Sequence, residues 1–144
     1  MEMNDSVSNW RVFEHLVKTI LEANGFQVQV NMLRGDEGFD FLGSLENETW
    51  AIEVKYYRTA QVRASLIEAA ATRVVNNGID GNVGKGMLVV SSILSNNFRY
   101  ELEKRFSILF VDRADLRSMA SSLPDVLDKI DAVSYTHLTL PTKA

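Results

Sequence analysis

The stretch Gly38 to Tyr57, GFDFLGSLENETWAIEVKYY, restricts this chain more than any other. Two apolar runs, Phe39 to Leu42 and Trp50 to Tyr56, flank a polar turn, and that layout predicts a β-hairpin. In the second run Trp50, Ile52, Val54 and Tyr56 alternate with Ala51, Glu53 and Lys55. One face is therefore apolar, while the other carries a carboxylate and an amine two residues apart. The first run sets Asp40 between Phe39 and Phe41. A turn centred on Glu46-Asn47 places Asp40 opposite Glu53, and a one-residue slip would send the two to different faces.

Carboxylates facing each other on neighbouring strands have Cβ atoms about 5 Å apart, and like charges so placed destabilise a sheet. Lys55 supplies one compensating charge. A hard divalent cation, which takes oxygen ligands, favours both carboxylates ionised at once and is the more economical reading. The bland alternative makes Glu53 and Lys55 a surface ion pair on an edge strand. Such exposed pairs contribute only ~0 to 1 kcal/mol, and the third strand of the chain is expected to lie between others.

The rest of the chain gives the hairpin its surroundings. Ser6 or Ser8 can cap a first helix running to about Asn24, with Gly25 as its stop and Trp10, Phe13, Val17, Ile20 and Leu21 as its buried stripe. Glu14 falls at the edge of that stripe, where spacing alone makes it a glutamate reaching solvent; His15 has no role. Phe26, Val28, Val30 and Met32 alternate with polar residues as a half-buried strand. The turn Arg34 to Gly38 follows, where Asp36 ranks behind Asp40 as a metal ligand. After the hairpin a helix is expected from about Gln61 to Asn77, packed through Val62, Leu66, Ala69, Ala70 and Val74. Gln61, Arg63 and Arg73 could face a phosphate backbone, but a solvated helix surface is the stronger reading for each.

Asn76 to Gly86 is glycine-rich, yet its spacing fails the GxxxxGK[ST] phosphate loop: Gly86 stands where the hydroxyl is needed, and a strand follows instead of a helix. Met87 to Val90 and Ile108 to Val111 fit strands covered on both faces, with a helix from Asn96 to Phe106 between them as a right-handed crossover. Ser91 and Ser92 end the first of these strands and can touch a phosphate, cap a helix or form a turn. Arg113 to Leu123 and Pro124 to Ile130 close the chain as helices.

Asp40, twelve intervening residues, then Glu53-Val54-Lys55 resembles the D…(D/E)xK signature of the PD-(D/E)XK nuclease superfamily. GDEGFDFLG, EVKYYR and GMLVVSS, each in its place from Trp10 to Met119, are similar to Mrr-type restriction endonuclease domains. Such domains often have Gln where Glu53 stands, and Phe39 replaces the proline of the motif name. The resemblance implies an α/β fold, a restriction-endonuclease-like three-layer sandwich with an αβββαβ core and a mixed central sheet. It also implies a metal-dependent endonuclease hydrolysing DNA phosphodiester bonds in restriction or defence. Asp40 and Glu53 would then hold Mg²⁺, or Mn²⁺ as a substitute, with the Ile52 or Val54 carbonyl beside Glu53 as a further ligand. Glu14 would be an outer carboxylate of the site. Lys55 would orient the attacking water and stabilise charge in the transition state. The alternative is a non-catalytic nucleic-acid-binding or sensor module that keeps the fold, against which the intact Asp40, Glu53 and Lys55 stand.

Composition limits the partners. A net charge of −4 is not the footprint of a domain that grips DNA by bulk electrostatics. A homodimer, a partner or a further C-terminal domain would have to supply a strong hold. Cysteine is absent, which removes disulfides and Cys-based zinc sites and suits a reducing cytoplasm. No stretch has the length of a membrane span or the layout of a signal peptide. Residues 1–132 are expected to form one nuclease-like domain. Val133 to Ala144, VSYTHLTLPTKA, lacks periodicity, resembles translated adaptor sequence, and is expected to be a non-native tail that displaces natural C-terminal sequence.

Overall fold

The computed structural model describes residues 2–31, 39–59, 61–78 and 84–134. Its centre is the expected hairpin, β2 (Phe41–Leu45) and β3 (Glu48–Lys55), in the expected register: Phe41 pairs with Ile52 and Leu45 with Glu48. Glu46 and Asn47 close it with φ of 50° and 72°, the left-handed pair of a two-residue turn that matches strand twist. β2 begins at Phe41, later than the sequence suggests, because the backbone of Asp40 is divided between two neighbours. Its N–H donates to the Ile52 carbonyl at 2.9 Å, while its carbonyl accepts from Asn31 at 2.9 Å.

The first helix, α1 (Glu2–Ala23), stops before Gly25, whose φ of +102° ends it as expected. It leads into β1 (Gln27–Val30), antiparallel to β2. Beyond the hairpin come α2 (Ala64–Arg73), a π-helical turn (Val74–Gly78), β4 (Lys85–Val90), α3 (Asn96–Phe106), β5 (Leu109–Val111), α4 (Arg113–Met119) and α5 (Pro124–Ser134). β4 lies parallel to β3 and β5 parallel to β4, so the sheet is mixed, in the order β1-β2-β3-β4-β5.

Alternation along the strands divides the interior into two cores. Ile52, Val54, Met87 and Val89 face α1, α4 and α5, packing on Phe13, Val17, Ile20, Leu116 and Ile130. Leu88, Val90 and Phe110 face α2 and α3, packing on Ile67, Ala70, Ala71, Val74 and Leu102. The result is the three-layer α/β sandwich anticipated from the sequence.

Further local details differ from expectation. α1 already runs from Glu2, so Ser6 and Ser8 lie inside it and neither begins it, and α4 ends at Met119, short of Leu123. α2 starts at Ala64 and not near Gln61, because the Thr59 hydroxyl donates to the Gln61 carbonyl at 2.7 Å and Arg63 is extended at ψ 139°. Its packing face is correspondingly Ile67, Ala70, Ala71 and Val74, with Leu66 44% exposed. α5 runs on through Ser134, and Val133, inside the segment set apart from the sequence, is buried in the α1-side core. The Asp36 turn and His137 lie outside the described residues. Among the described residues, no helix is long and apolar enough to cross a membrane.

Candidate active site

β3 has partners on both edges, and this decides what its polar residues can be. Glu53 points to the α2 side of a central strand and is only 4% exposed, which rules out a surface ion pair on an edge. Asp40 grips β3 on either side of Glu53: its N–H reaches the Ile52 carbonyl, and its Oδ2 accepts from the Val54 N–H at 2.7 Å. In a strand the N–H and C=O of one residue point to the same edge, so the Val54 carbonyl faces the edge that Asp40 occupies.

Two cations answer these carboxylates. Lys55 Nζ is 3.6 Å and Arg73 Nη2 3.8 Å from the same oxygen, Glu53 Oε2. Both distances exceed that of a hydrogen bond, and both side chains are a third or more exposed. Burial pushes the Glu53 carboxyl up to about 7, helped by the negative charge of Asp40 and a hydrogen bond to it, against the opposing pull of Lys55 and Arg73. Tyr57, one alternation beyond Lys55, belongs to the same neighbourhood. Its phenol is pushed up to about 12 by burial and then by the charge of Glu53.

Asp40, Glu53 and Lys55 are thus brought together. Glu14 sits half-buried on α1, which covers the opposite face of the sheet, next to Phe13, whose ring meets Tyr56 at 5.9 Å. Among the described residues no three Asp, Glu or His side chains gather, so Glu14 does not join the pair. His15, Gln61 and Arg63 are exposed. Ser91 is occupied structurally: its hydroxyl accepts from the Tyr57 N–H at 2.6 Å and donates to the Tyr57 carbonyl at 3.0 Å, fixing the end of β3. Tyr57 was signalled by continuing the period of two past Lys55. The approach of Arg73 to Glu53 depends on how α2 packs and has no local signal.

The donor set suits a hard divalent ion. Two carboxylates, one of them buried, stand beside a backbone carbonyl, and Mg²⁺ is commonly bound through one or two carboxylates with waters and substrate phosphate completing its shell.

Residues 6–120 match the model of the restriction endonuclease family Mrr_cat. The chain belongs to the Mrr-type restriction endonuclease family. Two solved structures show the fold of this Mrr-type domain. One, titled protein of unknown function AF1548, shares 14% identity at a TM-score of 0.52, over 85% of this chain and 97% of its own. The other, the DNA modification-dependent restriction endonuclease AspBHI, shares 15% identity at a TM-score of 0.57, over 85% of this chain but only 34% of its own. The Mrr-type chain therefore spans about a third of that enzyme. No curated protein sequence matches it.

Proposed function

We propose that this domain is a metal-dependent endonuclease that hydrolyses DNA phosphodiester bonds in restriction or defence. The observation that carries the reading is the buried Glu53 carboxylate forced against Asp40 on a central strand, with Lys55 beside it, in a chain of the Mrr-type family. A structural role would not require two acids to share so small a space.

Asp40 and Glu53 would hold Mg²⁺, or Mn²⁺ in its place, with the Val54 carbonyl as a further ligand. The ion, when bound, supplies Lewis acidity and a water of lowered pKa. The protein's own residues do the rest. The Val54 N–H fixes the Asp40 carboxylate, and the Ile52 carbonyl fixes its backbone, so one ligand is oriented before any ion arrives. Lys55, a third exposed, reaches from the same face of β3 and orients the attacking water while stabilising charge on the phosphorane-like transition state. Glu14 would serve at most as an outer carboxylate, reaching the ion through water. The acidic net charge leaves the strong hold on DNA to a second copy of the chain, a partner or a further domain.

Plasmid DNA incubated with the protein tests this. Cutting or nicking is expected with Mg²⁺ or Mn²⁺ and none in EDTA, and Lys55→Ala should abolish turnover while leaving metal affinity largely intact. Equal cutting in EDTA, or none by the folded protein with either metal, would count against the proposal.

A further inference from the structure

Among the described residues, Arg73 differs from Arg99, Arg105 and Arg117, which also make ion pairs. Arg99 donates to the Phe110 carbonyl and to Asp115, Arg105 to Glu68, and Arg117 to Asp131, each by hydrogen bonds that pin the guanidinium to a neighbouring element. Arg73 Nη2 approaches Glu53 Oε2 only to 3.8 Å, with its side chain 40% exposed. It closes α2 at the point where the helix widens into the π-helical turn Val74–Gly78, which lies against β3 and β4. Such π turns are frequent where a helix positions a functional group.

With Glu53 ionised the charges of Asp40, Glu53, Lys55 and Arg73 cancel, and a divalent ion would leave the cluster with two positive charges in excess. A metal-bound Glu53 no longer needs two cations beside one oxygen. The planar fork of a guanidinium also matches a phosphate better than an ammonium does.

Resting on the nuclease reading above, we propose that Arg73 is the phosphate-holding residue of the site: it lies on Glu53 in the metal-free protein and passes to a non-bridging oxygen of a DNA phosphate once a divalent ion takes the carboxylates. Lys55 is left to the water. Arg73 is thereby a switchable contact, which strengthens DNA binding only in the metal-loaded protein.

Binding can be read without cleavage in a Lys55→Ala background, using a short DNA duplex in Mg²⁺ and in EDTA across a salt series. Adding Arg73→Ala should weaken binding about tenfold in Mg²⁺ and less than about twofold in EDTA, and should lower the salt slope by about 1 in Mg²⁺ alone. Arg73→Lys should restore the salt slope and only part of the affinity. Arg105→Ala, which removes an equal charge from a surface pair, should have less than about a twofold effect in either condition. Equal losses in Mg²⁺ and EDTA, equal losses for Arg73→Ala and Arg105→Ala, or no loss at all would each overturn the assignment. Thermal melts of the parent separate this from failure of the nuclease reading. If Mg²⁺ neither raises the melting temperature nor tightens DNA binding, that reading fails and Arg73 with it; if it does both and Arg73→Ala changes nothing, only the role of Arg73 falls.

Discussion

Glu53 is where the conflict between folding and chemistry concentrates. Its carboxyl is raised from 4.5 to about 7, by burial first and by Asp40 second, so between those values the folded state holds a proton that the unfolded state releases. The contribution of Glu53 to metal-free stability is therefore full below about pH 4.5 and is lost as pH rises through about 7, by an amount on the order of 3 kcal/mol. Melting curves in EDTA at pH 5 and pH 8 should show this fall in the parent, and Glu53→Gln should lose most of it. Parallel profiles for the two proteins would mean that Glu53 ionises without strain. At this scale the sequence was informative about Asp40, Glu53 and Lys55, because alternation and a two-residue turn are local and leave one register. Arg73 was not legible as a partner of Glu53: which way a helix surface residue turns is decided by a sheet some twenty positions earlier in the chain.

Among the elements, legibility followed the same division between local and distant causes. α3 could be bounded from its own residues, since Ser95 accepts from the Phe98 N–H and Ser107 ends the helix in the left-handed region at φ 54°. α2 could not, because the Thr59 hydroxyl holds the chain out of the helix as far as Arg63. Of the face counted from Val62, Ala70 and Val74 are buried and Val62 packs against them, while Leu66 and Ala69 are exposed and Ile67 and Ala71 are buried in their place. Asp112 caps α4 and also accepts the Leu94 N–H at 2.9 Å, a contact with no local signal, joining the segment between β4 and α3 to the start of α4. α5 carries a prediction of its own. Val133, 7% exposed, anchors its last turn in the α1-side core. A chain ending at Ser134 should melt with the parent, whereas one ending at Ala132 should be about 1 to 2 kcal/mol less stable. Equal melting of all three would show that Val133 contributes nothing to the core.

For the whole molecule, the mixed sheet explains how a buried acid pair is tolerated. β1, β2 and β3 form an antiparallel meander with Asp40 at the open end of β2, while β4 and β5 add in parallel and cover the far side of β3. Glu53 is thereby shielded by α2 on its face and by strands on both edges, yet stays within reach of Asp40. Stability and the site are set against each other in the metal-free protein, and a bound divalent ion would reconcile them. Thermal melts of the parent and Asp40→Asn, each in EDTA and in Mg²⁺, measure that balance most directly. In EDTA the variant, which lacks one of the two opposed charges, should be more stable by about 0.5 to 2 kcal/mol. Mg²⁺ should invert the order, because binding raises the parent by RT ln(1 + [L]/Kd), a contribution the variant largely lacks. A variant less stable than the parent in EDTA, with no effect of Mg²⁺ on either protein, would contradict the assignment of Asp40 and Glu53 to a metal site.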